Sequence, residues 1–167
     1  MSTGVSNVLI GSLAGDAITE GVRNIAMGHS SLTSETTGDG SVAIGHGTLV
    51  AQNFTSGENS YNTAVGYDAG NDVSNGQENT FIGSVAGDAV TTADGNTALG
   101  AHALGAETTG GKNTAIGRAA LAAQNVTSDA YNVAVGYDAG TAVTTGTKNT
   151  LIGGNTGDSL TSGVNNV

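Results

Sequence analysis

The 167-residue chain contains no cysteine, no proline and no tryptophan, and only 4% of its residues are aromatic. Without cysteine it forms no disulfide bonds. With so few large side chains, it is poorly suited to fill the core of a conventional globular domain of this length. The 28 glycines are instead compatible with a stack of narrow coils built from small residues.

Basic residues are also scarce, since 4 lysines and arginines stand against 14 acidic residues. The net charge of −10 and the pI of about 4.2 disfavour binding to nucleic acids and to anionic membranes, and they favour solubility. No apolar run approaches the roughly 18 residues of a membrane-spanning helix. The opening segment "MSTGVSNVLIG" lacks the basic start and the long apolar core of a cleavable signal peptide. We therefore expect neither nucleic-acid binding nor membrane insertion.

The chain does contain one phrase that is repeated from end to end. The segment "NTAVGYDAG" at residues 62–70 returns as "NVAVGYDAG" at residues 132–140. Most units are 17 residues long, and two units with an insertion have 21 and 19 residues. The first place of each unit is occupied by Asn7, Asn24, Ser41, Asn62, Asn79, Asn96, Asn113, Asn132 and Asn149, and the fifth place is always glycine. Nine units therefore fill residues 1–167 as a single repeat domain.

A second pattern runs over blocks of four units. In "glycine units" place 9 is glycine and place 12 is aliphatic, as in Gly70 with Val73. In "leucine units" place 9 is leucine and place 12 is polar, as in Leu32 with Glu35. Each unit thus supplies one bulky apolar group at one of two places. Most units also carry a glycine at place 15, such as Gly76, where a turn with positive φ is expected.

The short runs "NTAIG", "NTFIG" and "NVAVG" are rich in β-branched residues and end at glycine, and no segment shows a helical apolar stripe. Each unit is therefore predicted to be one coil of an all-β parallel β-solenoid, with two short strands per coil. Nine coils at about 4.8 Å each give a rod of roughly 43 Å.

The first strand of each coil is apolar on both faces. Places 2 and 4 point to one side and are predicted to fill the coil interior, while place 3 points to the other side. A single coil of this length cannot cover both faces, so place 3 is predicted to pack against other chains around an axis, most simply in a homotrimer. The predicted oligomer interface consists of Leu9, Ala26, Ala43, Ala64, Phe81, Ala98, Ala115, Ala134 and Leu151.

Two segments resemble known fibrous proteins. The segment "GSVAIGHGTL" at residues 40–49 is similar to the head repeats of trimeric autotransporter adhesins. The segment "NTAIGRAALAAQNVTS" at residues 113–128 is similar to the Asn-Thr-Ala-Ile-Gly repeats of bacteriophage tail-fibre shafts. The resemblance covers nearly the whole chain, and it implies a left-handed parallel β-roll with three chains side by side, on a virion or an extracellular surface.

The sequence offers little chemistry, and we expect no catalytic residues, no cofactor site and no metal site. His29 and His46 are expected to stack on adjacent coils near Tyr67 rather than to bind a metal ion. The acidic residues at place 10 are expected to cap turns rather than to hold calcium, and they are Asp16, Asp88 and Asp158. The protein is therefore not expected to be an enzyme.

Three functions remain open. The first is a non-catalytic structural fibre module that assembles end to end. The segments "STGVSNV" at residues 2–8 and "TSGVNNV" at residues 161–167 occupy the same places of the unit, and no capping coil is visible, so the two ends are expected to be complementary. A segment of a longer fibre would show the same ends. The second is an adhesin whose insertions at residues 52–61 and 124–131 contact cell-surface glycans. The third is an ice-binding solenoid, indicated by pairs such as Thr91 and Thr92, although the insertions interrupt the threonine array. The residues considered for ligand contact are Tyr61, Tyr67, Tyr131 and Tyr137.

Overall fold

The computed structural model describes residues 3–167, and this part of the chain forms nine three-residue strands and no helix. All nine strands lie in one parallel sheet in chain order. They are β1 (Val8–Ile10), β2 (Ile25–Met27), β3 (Val42–Ile44), β4 (Thr63–Val65), β5 (Thr80–Ile82), β6 (Thr97–Leu99), β7 (Thr114–Ile116), β8 (Val133–Val135) and β9 (Thr150–Ile152). Each strand occupies places 2–4 of its unit, so Val8 pairs with Ile25 one coil later. The predicted parallel β-solenoid of about nine coils is confirmed.

The prediction of two strands per coil is wrong, because the described part of the chain has one strand per coil. After place 5 the backbone leaves the extended conformation, and places 7 and 9 have left-handed φ in every coil, as at Leu13 (φ 61°) and Gly15 (φ 56°). Isolated backbone hydrogen bonds join this half of the coil to the next one. The N–H of Gly15, for example, donates to the C=O of Ser31 over 2.9 Å.

The prediction that place 3 faces other chains is also wrong, because these side chains lie inside the coil of a single chain. Every place-3 residue from β2 to β8 is 0% exposed, the one in the last coil is 5% exposed, and the one in the first coil is 43% exposed. The strand alternation therefore turns places 2 and 4 outward. The reason is that the coil is narrow. Its interior accommodates an alanine at place 3 beside one large side chain, but it does not accommodate the β-branched residues of places 2 and 4 together. The residues assigned to the wrong side are Leu9, Ala26, Ala43, Ala64, Phe81, Ala98, Ala115, Ala134 and Leu151.

Glycine units and leucine units differ in which place supplies the large side chain that fills the interior of the coil. We call this difference an exchange of bulk. In leucine units the place-9 side chain, such as Leu49, is fully buried beside alanine at place 3. In glycine units a large place-3 side chain, either of the same coil or of the next one, fills this space. Phe81 fills it in two coils. A Cβ atom at Gly70 would lie 2.8 Å from Phe81 Cδ2, and one at Gly87 would lie 2.5 Å from Phe81 Cδ1. Leu151 fills the last two coils in the same way.

The asparagines at place 1 hold neighbouring coils in register. The fully buried Asn79 donates from Nδ2 to the C=O of Ala93 (2.8 Å) and accepts the backbone N–H of Asn96 at Oδ1 (2.9 Å). The same two bonds recur at Asn7, Asn24, Asn62, Asn96, Asn132 and Asn149. Each coil is therefore fixed to the next by a buried side-chain ladder as well as by the strands.

The place-15 glycines lie beside this ladder, and the expectation of positive φ there is wrong. The left-handed glycines are found at other places. A Cβ atom at Gly76 would lie 2.4 Å from the carbonyl oxygen of Ala93 in the next coil. Glycine is needed at this position because the backbones of successive coils approach closely, not because the turn requires a special conformation.

Candidate interaction surface

The outward face of the sheet carries a continuous apolar column at place 4. This place is aliphatic or methionine in every coil, and its exposed fraction is 44% at Leu99 in the middle of the rod and 67% at Ile152 in the last coil. We term this set the place-4 column, and it consists of Ile10, Met27, Ile44, Val65, Ile82, Leu99, Ile116, Val135 and Ile152. Eight steps of about 4.8 Å make the column about 38 Å long.

Place 2 forms a second outward column beside it, and all of its residues are β-branched. Five of the nine are threonine, as at Thr97, and the others are valine or isoleucine, as at Val42. Neither outward column contains a charged residue, although the chain carries a net charge of −10. An uncharged and largely apolar surface of this length is unusual on a monomer and is typical of an interface with another protein.

A stack of aromatic rings follows the place-4 column at place 6. The rings of His29 and His46 are 5.1 Å apart at their centroids, and those of His46 and Tyr67 are 5.2 Å apart, with nearly parallel planes. The stack expected from the sequence is therefore present. Nδ1 of His46 lies 3.6 Å from a carboxylate oxygen of Asp68.

The four tyrosines considered for ligand contact are each about half exposed, and two of them pair with a cation of another coil. Nζ of Lys112 lies 5.4 Å from the ring centroid of Tyr131, and the guanidinium of Arg118 lies 5.3 Å from that of Tyr137. These contacts are worth about 0.5–1 kcal/mol at exposed sites. Together with the stacked Tyr67, these rings contribute packing along the axis. Ligand contact by Tyr61, Tyr67, Tyr131 and Tyr137 stays a prediction.

Charged side chains form short ladders on the surface. The Lys112 ammonium lies 2.6 Å from the Asp129 carboxylate, and this hydrogen bond raises the pKa of Lys112 and lowers the pKa of Asp129. Partial burial raises the pKa of the Asp88 carboxyl group, and the nearby charge of Asp72 adds to the effect.

The place-10 carboxylates do not converge on one ion. Asp16, Asp88 and Asp158 stand in coils 1, 5 and 9, so neighbouring members are about 19 Å apart at about 4.8 Å per coil. Calcium ligands lie about 2.3–2.6 Å from the ion. Within residues 3–167, no group of three or more histidine, cysteine or acidic side chains is arranged to hold a metal ion.

Two buried carboxylates anchor the corners where the insertions begin. Glu107 is fully buried at place 12, and its Oε1 accepts the three backbone N–H groups that follow it, over 2.7–3.2 Å. Its Oε2 accepts Nε2 of Gln124 (2.9 Å), whose own Oε1 accepts Nδ2 of Asn132 (2.7 Å). A buried charge is tolerated here because every oxygen is hydrogen bonded.

The same network recurs one block earlier. Glu35 accepts Nε2 of Gln52 (2.9 Å), and Gln52 also donates to Ser41 Oγ (2.7 Å) and accepts Nδ2 of Asn62 (2.9 Å). Ser41 is the one exception to asparagine at place 1 of the nine units. The hydrogen bonds of the Gln52 amide therefore partly replace those that an asparagine side chain would make at this place. The sequence analysis noted that place 12 is polar in these units but missed its burial. The signal was the recurrence of glutamate followed by glutamine 17 residues later in both blocks.

Glu107→Gln is expected to lower the free energy of unfolding by about 1–3 kcal/mol, as is usual when buried polar groups lose their partners. The new amide would place its NH2 group against backbone N–H groups or against Nε2 of Gln124. Gln124 cannot turn over to compensate, because its Oε1 accepts Asn132. Denaturant unfolding measures the change, and the matched control is Glu78→Gln at an exposed glutamate. Equal stabilities of the two variants would contradict this account of the corner.

Each insertion corner opens a shallow groove. The first has a volume of about 160 Å³ and is lined by Asn53, Phe54, Thr55, Glu58, Asn75 and Gln77. The second has a volume of about 280 Å³ and is lined by Asn125, Val126, Thr127, Ser128, Thr145 and Thr147. Both lie between an insertion and the coil that follows it.

Comparison of the chain with protein-family models, with curated proteins and with solved structures finds no match. Among residues 3–167 there is no helix long and apolar enough to cross a membrane. The assignment of function therefore depends on the surfaces of the molecule.

Proposed function

We propose that the chain is a non-catalytic structural module of a fibre, either a tail-fibre shaft or an extracellular surface filament, and that it acts as a homotrimer. The observation that carries this proposal is the place-4 column, which presents nine large apolar side chains on the outside of the solenoid. In this arrangement the interface lies at places 2 and 4 of the sheet, and place 3 belongs to the core.

The periodicity of the column favours a second copy of the chain as its partner. A partner that packs along the whole column must present its own side chains at steps of about 4.8 Å. Another solenoid of this kind does so over its full length. The absence of charge at places 2 and 4 also lets copies meet there, despite the net charge of −10 on each chain.

A threefold arrangement covers all three columns at once around one axis. It leaves the acidic remainder of each chain outside, where the like charges keep the rod soluble. A rod with continuous strand pairing and a buried apolar seam is suited to a mechanical role, and it needs no reactive group. The resemblance to fibre repeats supports the same stoichiometry.

The ends of the described solenoid support growth along the axis. β1 and β9 each have one edge without a neighbouring strand. Exposed apolar side chains lie at both ends, such as Leu9 in the first coil and Val164 in the last. Open strand edges pair readily with further strands. We therefore propose that additional coils, from another subunit or from the same fibre, stack on these edges.

Leu99→Glu is expected to dissociate the trimer while leaving each chain folded. Three carboxylates would be buried near one another at the axis, at a cost of several kcal/mol. In the single chain this side chain is exposed, so the coil itself tolerates the change. Light scattering after gel filtration should give three times 16.2 kDa for the wild type and 16.2 kDa for the variant.

The control is Thr92→Glu, which adds the same charge at an exposed position outside the two columns. It should remain trimeric, and the circular dichroism of both variants should match that of the wild type. A wild type that is monomeric at all concentrations, or a Leu99→Glu variant that stays trimeric, would contradict the proposal.

A further inference from the structure

We propose that the two insertion-corner grooves are a pair of equivalent binding sites for a neutral, hydroxyl-rich ligand, namely an oligosaccharide. This inference is independent of the proposed fibre function. The two grooves are repeats of one another. Asn75 and Thr145 line them from place 14 of the coil after each insertion, and Gln77 and Thr147 line them from place 16.

The lining side chains suit sugar hydroxyl groups. In the first groove, Thr55 is exposed and Gln77 is half-buried. In the second groove, Thr127 and Ser128 are exposed, and Thr147 is half-buried. Hydroxyl and amide groups both donate and accept hydrogen bonds, as the hydroxyl groups of a sugar do. The first groove is therefore mainly polar, and the second combines donors and acceptors with the apolar surface that Val126 contributes.

Charge narrows the class of ligand. No lysine or arginine lines either groove, and the first contains the carboxylate of Glu58. With a net charge of −10, the chain repels phosphate, sulfate and sialic acid groups. The buried ring of Phe54 offers little stacking surface, so recognition depends on hydrogen bonds. A neutral oligosaccharide satisfies these conditions.

The floor of each groove is held in place by the buried glutamate of that corner. Oε1 of Glu35 accepts the backbone N–H of Phe54 over 3.1 Å, and Glu107 accepts that of Val126 over 3.3 Å. A groove that is fixed before binding loses less entropy when the ligand arrives. The insertions thus have a stable base, which an ordinary flexible surface loop would lack.

The spacing of the grooves favours a polymeric ligand. They stand four coils apart, which is about 19 Å at about 4.8 Å per coil. One linear chain of sugars that engages both grooves would bind more tightly than two separate pieces.

The test uses the full chain and immobilised linear oligosaccharides of glucose, galactose, mannose and N-acetylglucosamine, with their sulfated and sialylated counterparts. The wild type should bind at least one neutral probe and none of the charged ones. Asn75→Leu combined with Thr145→Leu should weaken binding at least tenfold, because leucine fills the grooves and cannot hydrogen bond. Each single variant should keep one intact groove, so it should bind more weakly than the wild type and more tightly than the double variant. The matched control is Thr92→Leu, at place 14 of a coil that does not follow an insertion, and it should bind like the wild type.

The proposal is overturned if no neutral probe binds at millimolar concentration, if only charged probes bind, or if the double variant binds normally. The oligomeric state of the same samples is measured in parallel. Because the grooves and the place-4 column share no residue, a loss of sugar binding with an intact trimer concerns the grooves alone.

Discussion

Gly83→Val is expected to destabilise the solenoid strongly. Gly83 has φ of 135°, and a Cβ atom there would lie 2.7 Å from the carbonyl carbon of Gly100 in the next coil. Both obstacles concern the backbone, so no side-chain movement relieves them. Backbone strain costs about 1–3 kcal/mol for one residue, and the close contact adds to that, so we expect a loss of at least about 3 kcal/mol.

Thermal unfolding followed by circular dichroism measures this effect. The matched control is Thr80→Val, which introduces the same side chain in the same coil, at place 2. Valine already occupies this place at Val42 and Val133. The control should stay within about 0.5 kcal/mol of the wild type, because place 2 accepts valine in other coils of the same sheet. If the two variants unfold at the same temperature, the claim that the close approach of coils at place 5 requires glycine is wrong.

Phe81→Ala is expected to lower the free energy of unfolding by about 3–5 kcal/mol, the usual cost of removing a buried phenylalanine. Its ring is fully buried and fills the space above both Gly70 and Gly87. Phe81 is the nearest side chain to both positions within residues 3–167, so a cavity should remain in two coils. Denaturant unfolding measures the loss.

A second substitution tests the reason for that loss. Gly87→Leu alone should destabilise the wild type, because its Cβ would lie 2.5 Å from Phe81. In the Phe81→Ala background the same change should stabilise the protein, since it gives coil 5 the alanine and leucine of a leucine unit. The backbone permits this, because Leu32 has φ of 52° at the equivalent place. Additive effects of the two substitutions would show that the proposed exchange of bulk does not occur.

The repeat, the parallel solenoid and the coil boundaries could be predicted because a strict period and β-branched runs ending at glycine leave few other folds. Hydrophobicity could not show which face of each strand points into the coil, since both faces are apolar. The sizes of the side chains did indicate it. The large place-3 residues Leu9, Phe81 and Leu151 occur only in units with glycine at place 9, which indicates that the two places share one interior.

The candidate surfaces were only partly predictable for the same reason. The place-4 column was assigned to the interior, so its role as an exposed surface was missed. The buried Glu107 was missed because an acidic residue is rarely buried unless all of its oxygens are hydrogen bonded, and those partners are mostly backbone groups that a sequence does not display. The insertions were identified as candidate contact sites, but the grooves also need Asn75 and Thr145 from the following coils.

The most direct test of the central claim is to label single cysteines on the two faces of one strand. The natural chain has no cysteine, so Ile44→Cys and Ala43→Cys each introduce a unique thiol. Each is made in the wild-type background and in the Leu99→Glu background, and its reaction rate with a maleimide is measured under native conditions.

The thiol of Ile44→Cys should be protected in the trimer and should react rapidly once Leu99→Glu has dissociated it. The thiol of Ala43→Cys should stay protected in both backgrounds, because place 3 lies inside the coil. The opposite pattern, with Ala43→Cys exposed on dissociation and Ile44→Cys always protected, would contradict the account.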